Sequence, residues 1–121
     1  MNEGGNMKKF EEIATDFEYL GDLAKVREAY LLATQAHKGQ QWIGREYIEH
    51  PIEVAKIVAS MEGSEEEICA AFMHDIINSR NVSLEEIERV FGHEISFIVD
   101  GVTDVKLNMN ERNKTSIITT N

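Results

Sequence analysis

The stretch ICAAFMHDII, residues 68–77, is the strongest structural signal in this sequence, because eight of its ten residues are apolar. A helix of this composition is apolar on nearly every side and is predicted to lie inside the protein. Its two polar residues are neighbours, His74 and Asp75. Burying a carboxylate costs several kcal/mol unless it is paired or bound to a cation. Two interpretations stay open at this point: a metal site, and a buried His–Asp pair satisfied by neighbouring side chains.

The segments on either side of this stretch also predict helices. Pro51 suits the first position of a helix, where its missing N–H costs nothing. Serine followed three residues later by glutamate is the capping-box pattern, and it occurs at Ser64 and again at Ser83. No segment shows convincing strand alternation. Helical spacing of apolar residues predicts helices over 7–20, 23–38 and 51–60, one containing 68–77, a short one through Val90, and an apolar one beginning EISFIVDGVTDV.

This pattern predicts an all-α bundle of about five to six helices. The length of 121 residues suits one domain. Residues 1–107 are expected to form that domain, with a loop over residues 39–50. Residues 108–121 are rich in asparagine and threonine and have no clear amphipathic period, so they are expected to be a polar tail.

The formal net charge of −10 limits the kinds of molecule that the protein is expected to bind. A protein that binds nucleic acid or an anionic membrane needs a basic face, so neither partner is expected. A phosphorylated small molecule stays open, since a metal cation can invert the local field. The single cysteine, Cys69, is predicted to be a small buried hydrophobe. No apolar run approaches membrane-spanning length, so a cytoplasmic location is expected.

His50 adds a third candidate ligand at the entry to a predicted helix, where a lone histidine is usually a surface cap. With His74 and Asp75 it supplies a His, His, Asp set, and mixed nitrogen and oxygen ligation suits Mn, Fe or Zn better than Ca. Such a site could polarise a phosphoryl oxygen and lower the pKa of a bound water. The other histidines have simpler interpretations: His37 as a helix-terminal residue interacting with carbonyls, and His93 as a loop or cap residue.

Four segments carry a resemblance to a known family: AYLLATQAHKGQ (29–40), YIEHPIEVAKIV (47–58), AAFMHDII (70–77) and SLEEIERVFGHEISFIVDGVT (83–103). In order and spacing they resemble the HD-domain (p)ppGpp hydrolases. These are the hydrolase halves of the bifunctional RelA/SpoT-type stringent-response enzymes, together with their small stand-alone relatives. The dipeptide HD alone is a weak signal, whereas the ordered set of segments is specific.

The resemblance implies an all-α HD fold with a bound Mn²⁺-like ion. It would make His50, His74 and Asp75 three of four metal ligands. The implied reaction is hydrolysis of the 3′-pyrophosphate of (p)ppGpp, a phosphorylated nucleotide, by a metal-activated water. The family's fourth ligand is an aspartate on a later helix, in a segment like K-L-A-D-R-L that does not occur before Asn121. We therefore expect the front part of such a domain, incomplete at its C-terminus.

The sequence departs from the family pattern just after the HD pair. The family continues as HD-x-x-E-D, with an acidic pair that acts close to the attacking water, whereas this chain has Asn78 and Ser79 there. Neither side chain can act as a general base in the way a carboxylate does. Asn78 can still hydrogen-bond a water or a phosphate, so it is the candidate catalytic residue of a site whose activity is expected to be reduced or lost.

The loop after the GQ pair differs as well. Family members offer basic residues there that contact the guanine nucleotide. This chain has Trp42 and Ile43 in a loop one residue shorter, with Arg45 as the only nearby cation, and Glu46 replaces the usual proline before Tyr47. The resemblance thus makes Trp42, Arg45 and Tyr47 the candidate substrate-binding residues.

Three hypotheses about function follow. The first is a metal-dependent phosphohydrolase of the (p)ppGpp type, weakened at Asn78 and Ser79. The second is a non-catalytic nucleotide- or metal-binding regulatory module on a degenerate HD scaffold. The third is a structural fragment that self-associates as a homo-oligomer to cover an open core. The order of the motifs favours an enzymatic ancestry, whereas Asn78, Ser79 and the missing final aspartate favour lost or altered activity.

Overall fold

Helices make up most of the part of the chain that this computed structural model describes, residues 9–77 and 82–101. The all-α prediction is confirmed. The predicted tail, residues 108–121, lies outside the described residues, so the domain boundary at residue 107 stays a prediction. In order, the elements are helix α1 (9–13) with a 3₁₀ continuation (Ala14–Leu20), α2 (Ala24–Ala36), strands β1 (Gln41–Trp42) and β2 (Arg45–Glu46), α3 (Glu49–Ser60), α4 (Glu65–Met73), α5 (Leu84–Phe91) and α6 (93–101).

Helix α4 forms the centre of the core and packs against both α2 and α3. Every residue from Ile68 to Met73 is buried, as the apolar composition of the stretch predicts. Phe72 anchors this packing, since the rings of Tyr30 and Phe17 meet it edge-on at centroid distances of 5.8 and 5.9 Å. Edge-to-face pairs of this kind add about 0.5–1.5 kcal/mol each beyond the area they bury.

The predicted end of this central helix is wrong by four residues. Helix α4 ends at Met73, and residues 74–76 form a turn instead of a further helical turn. His74 is the C-cap, and its ring Nδ1 lies 2.7 Å from the carbonyl oxygen of Ala71. That bond satisfies one of the carbonyls left over at a helix end. Apolar periodicity could not distinguish a buried turn from a buried helix, because Ile76 is buried in either case.

The segment predicted as a plain loop contains a short antiparallel hairpin. Gln41 pairs with Glu46, and Trp42 pairs with Arg45. The two residues between the strands, Ile43 and Gly44, have φ angles of 51° and 76°. Positive φ at both central positions is the geometry of a tight two-residue hairpin turn. Strands of two residues are too short to show alternation, which is why the sequence pattern missed them.

Helix α3 begins two residues before the predicted start, so Pro51 is its third residue and not its first. The difference is less than one helical turn. Proline is tolerated throughout that turn, because the N–H groups of the whole first turn lack an intrahelical partner. Both predicted capping boxes are present, at Ser64 with Glu67 and at Ser83 with Glu86. Within residues 9–77 and 82–101, no helix is long and apolar enough to cross a membrane.

Candidate metal centre

The structure brings His50, His74 and Asp75 together, the three residues predicted as metal ligands. His50 lies in the first turn of α3, and the other two follow the C-terminal end of α4. Each offers one ligand atom, and these atoms all lie within 4.8 Å of one another. The cluster forms because α3 packs on α4, which brings the start of one helix to the end of the other.

One carboxylate oxygen is the focus of the cluster. Asp75 Oδ2 lies 3.2 Å from Nε2 of His74 and 3.4 Å from Nε2 of His50. Two metal–ligand bonds of about 2.1 Å at a tetrahedral angle place their ligand atoms about 3.4 Å apart. Both separations therefore fit three donors around one ion. A set of two imidazole nitrogens and one carboxylate oxygen suits Mn, Fe or Zn.

The tautomer of His74 follows from its hydrogen bond. A carbonyl oxygen can only accept, so Nδ1 carries the hydrogen and donates to Ala71 across 2.7 Å. In the neutral ring, Nε2 then presents its lone pair toward Asp75. A proton or a metal cation between these two atoms, which lie 3.2 Å apart, would satisfy both of them. The metal site and the buried ion pair are these two alternatives.

A fourth side chain, Tyr47, contacts the same carboxylate. Its hydroxyl donates to Oδ2 of Asp75 across 2.7 Å. Burial, together with the hydrogen bond to Asp75 and the charge of Asp75, raises the pKa of Tyr47 to about 12. The hydroxyl therefore keeps its proton at neutral pH and remains a donor. The contact between Tyr47 and substrate that the resemblance implies stays a prediction, and the structure shows the hydroxyl on a candidate metal ligand.

Two of the remaining candidates, Arg45 and Trp42, belong to the strands of the hairpin. Arg45 is on β2, where its guanidinium lies 3.6 Å from the Glu53 carboxylate of α3. The backbone of Trp42 belongs to β1, and its side chain is outside the described part of the structure. Asn78 and Ser79 also lie outside the described residues. The roles predicted for Arg45, Trp42 and Asn78 therefore stay predictions.

The two remaining histidines differ in their surroundings. His37 is the C-cap of α2, so the helix-end position is as predicted. Its ring is buried, however, and contacts the Gln40 amide and the Tyr47 ring. His93 begins α6 with 79% of its side chain exposed, which agrees with the surface interpretation. The contact between His37 and Tyr47 was missed by sequence reasoning, although both residues lie in the segments that carry the resemblance.

A cavity of about 430 Å³ opens beside His74. Its walls come from α3, α4 and α6 and are mainly apolar. Typical small-molecule sites occupy about 300–1,000 Å³ and are predominantly hydrophobic with a few polar groups. The lining residues are Val54, Val58, Met61, Gly63, Glu67, Ala70, Ala71, His74 and Ile98.

Comparison with known proteins extends this description. The chain is 38% identical over 82 residues to the bifunctional (p)ppGpp synthase/hydrolase SpoT of Escherichia coli strain K12, which covers 67% of this chain and 12% of that protein. It is 34% identical over 104 residues to a guanosine-3′,5′-bis(diphosphate) 3′-pyrophosphohydrolase of Vibrio cholerae, covering 84% of this chain and 15% of the relative. It is 35% identical over 103 residues to the GTP pyrophosphokinase rsh of Brucella melitensis, covering 83% and 14%.

These matches confirm the resemblance to the (p)ppGpp hydrolase group. The chain spans only 12–15% of the length of these relatives. Residues 29–118 match the family described as HD domain, and that range includes the hairpin, the His-His-Asp cluster and helices α3 to α6. The chain therefore belongs to the HD-domain family.

Proposed function

We propose that this chain is a metal-dependent phosphohydrolase domain that acts on guanosine 3′,5′-bis(diphosphate) or a nucleotide of the same kind. The observation that carries the proposal is the convergence of His50 and His74 on one oxygen of Asp75, at 3.4 and 3.2 Å. The activities named for two relatives, a (p)ppGpp synthase/hydrolase and a guanosine-3′,5′-bis(diphosphate) 3′-pyrophosphohydrolase, support the choice of substrate.

The ligands in this proposal are His50, His74 and Asp75, and the ion is Mn²⁺, with Fe and Zn as alternatives. A bound divalent ion supplies Lewis-acid polarisation of a phosphoryl oxygen and a water of lowered pKa. The chain's own contribution is to hold the ligands. Ala71 fixes the tautomer of His74 through its carbonyl, and the Asp75 carboxylate offsets part of the positive charge. A cation is needed for a phosphate ligand, because the net charge of −10 would otherwise repel it.

Substrate binding is assigned to two parts of the molecule. The cavity beside His74 has the volume and apolar lining for the organic part of a small molecule. Arg45, on the hairpin, is the proposed contact for phosphate, and Trp42 the proposed contact for the base. We also propose a cytoplasmic location.

Asn78 limits the chemistry in this proposal. An amide can orient a water or a phosphate by hydrogen bonding, but it cannot accept the proton that a general base removes. General acid–base catalysis contributes about 10²–10⁴-fold to rate. We therefore propose turnover that is slow for this class of enzyme.

The test is metal content and hydrolysis measured on the same preparations. Wild-type protein purified without chelator is expected to contain close to one Mn, Fe or Zn per chain and to release pyrophosphate slowly from guanosine 3′,5′-bis(diphosphate). His74→Ala is expected to lose both properties. His93→Ala is the matched control, because His93 is exposed and lies on another helix, and it should keep both.

Two outcomes would overturn the proposal. Wild-type protein that holds no metal, even after dialysis against Mn²⁺, would rule out the site. Protein that holds metal and gains thermal stability from the nucleotide, yet never hydrolyses it, would favour a non-catalytic binding module.

A further inference from the structure

We propose that Tyr47 is a positioning residue for Asp75 and that His37 and Gln40 hold Tyr47 in place. The inference rests on the proposed metal site and concerns the residues that hold one of its ligands. The Tyr47 hydroxyl lies 2.7 Å from Oδ2 of Asp75, the same oxygen that faces both imidazoles. A donor at this distance fixes the rotation of the carboxylate, and so determines which oxygen is presented to an ion.

Backbone hydrogen bonds fix the position of Tyr47. Its N–H donates to the carbonyl of Gln40 across 3.0 Å, which extends the pairing of the hairpin strands by one step. Its own carbonyl accepts from the N–H of His50 across 2.9 Å. The residue is therefore tied both to the hairpin and to the first turn of α3, where a candidate ligand lies.

The ring of Tyr47 is held by a second contact. Its centroid lies 4.4 Å from that of His37, with 33° between the ring planes, so the two rings are in contact in a tilted arrangement. His37 is 3% exposed, and its Nδ1 donates to Oε1 of Gln40 across 2.9 Å. A continuous set of contacts thus runs from the end of α2 through His37 and Tyr47 to Asp75.

Groups that hydrogen-bond to metal ligands set the orientation and basicity of those ligands. Removing such a group lowers metal affinity by about 10–100-fold. Tyr47→Phe removes only the hydroxyl and keeps the ring that packs on His37. We therefore expect the variant to fold normally and to bind Mn²⁺ about 10–100-fold more weakly.

The experiment compares Mn²⁺ affinity, measured by competition with a chelator, with the melting temperature of the metal-free protein. Tyr30→Phe is the matched control, because Tyr30 is fully buried against Phe10 and Phe72, in the core and not beside Asp75. Tyr47→Phe should bind Mn²⁺ about 10–100-fold more weakly while staying folded in the absence of metal. Tyr30→Phe should keep its affinity. A purely structural role for Tyr47 would lower the melting temperature and leave affinity unchanged.

A second variant keeps the test decisive if Tyr47→Phe does not fold. Gln40→Ala removes the hydrogen bond to His37 at a partly exposed position, and it should weaken Mn²⁺ binding several-fold. Gln35→Ala, at an exposed position on α2, is its control and should bind normally. Wild-type affinity in both Tyr47→Phe and Gln40→Ala would overturn this inference alone. Absence of Mn²⁺ binding in the wild-type protein would overturn the proposed function and this inference with it.

Discussion

The side chains of the candidate site meet at one buried atom, Oδ2 of Asp75. This oxygen accepts a hydrogen bond from Tyr47 and faces Nε2 of both His50 and His74. Only 6% of the Asp75 side chain is exposed, so water does little to screen the charge. A single carboxylate thus links the start of α3, the end of α4 and the segment after the hairpin. We therefore expect a change at Tyr47 to affect the candidate site through Asp75.

Cys69 is a residue whose reactivity can be predicted from burial. It is fully buried in α4, and this burial, with the charge of nearby Glu65, raises the pKa of its thiol to about 12. The thiolate fraction at pH 8 is then roughly one in ten thousand. We expect a thiol reagent to label the native protein roughly a thousand-fold more slowly than the denatured protein. Fast labelling of the native protein would contradict the burial of this residue.

The same shift has a consequence for stability at alkaline pH. The folded state holds the proton of the Cys69 thiol more tightly than the unfolded state does. The contribution of Cys69 to the unfolding free energy is therefore fully present below the ordinary thiol pKa of 9.0, and it is lost as pH rises from there toward about 12. Cys69→Ala removes this contribution. The variant should therefore lose less of its unfolding free energy over that pH range than the wild-type protein does.

Gly63 lies just after the end of α3 and packs closely against that helix. Glu62, with φ of 59°, occupies the left-handed position, while the N–H of Gly63 donates to the carbonyl of Val58 across 3.0 Å. Glycine usually fills the left-handed position itself. Here Gly63 is needed for close approach, since a Cβ on it would lie 2.4 Å from Val58 Cγ1. The glycine after this helix is thus a packing requirement.

Gly63→Ala should therefore destabilise the protein. Overpacking of this kind costs about 1–3 kcal/mol, which urea denaturation can measure. Val58→Ala combined with Gly63→Ala should recover part of the loss, because it removes the clashing methyl group. Gly101→Ala is the control, since no described atom lies within 4 Å of a Cβ there and its φ is not in the left-handed region. If Gly63→Ala and Gly101→Ala changed the free energy of unfolding equally, the neighbours of residue 63 would have shifted enough to relieve the clash.

At the scale of the whole molecule, a net charge of −10 dominates the electrostatics. Exposed ion pairs such as Arg45–Glu53 and Lys56–Asp16, at 3.6 and 3.8 Å, contribute little against this excess. Self-repulsion among carboxylates destabilises a compact state, and salt screens it. The folded chain is expected to be more stable in salt than in dilute buffer.

The measurement is the melting temperature of chelator-treated protein at two salt concentrations. Raising NaCl from about 0.01 M to about 0.1 M shortens the Debye length from about 30 to about 10 Å. The melting temperature should rise by a few degrees. A fall would mean that attractive ion pairs outweigh the general repulsion, and the chelator ensures that the change does not come from metal binding.

Much of this architecture was predictable from local sequence. The burial of α4, both capping boxes and the set of His50, His74 and Asp75 could be inferred in advance. Helical periodicity and capping depend on residues within about one turn of each other, so a short window of sequence contains the information. The choice of those three residues also rested on ordered motifs shared with a family, and the assignment of each as a ligand stays a proposal.

Other features depend on contacts between segments that are distant in sequence. The bond from Tyr47 to Asp75 and the packing of His37 on Tyr47 belong to this group. Tyr47 and Asp75 are 28 residues apart, and only the packing of α3 on α4 brings them within hydrogen-bond distance. The identity of the candidate ligands could be read from the chain, whereas their orientation and support could not, because these depend on how the helices approach one another.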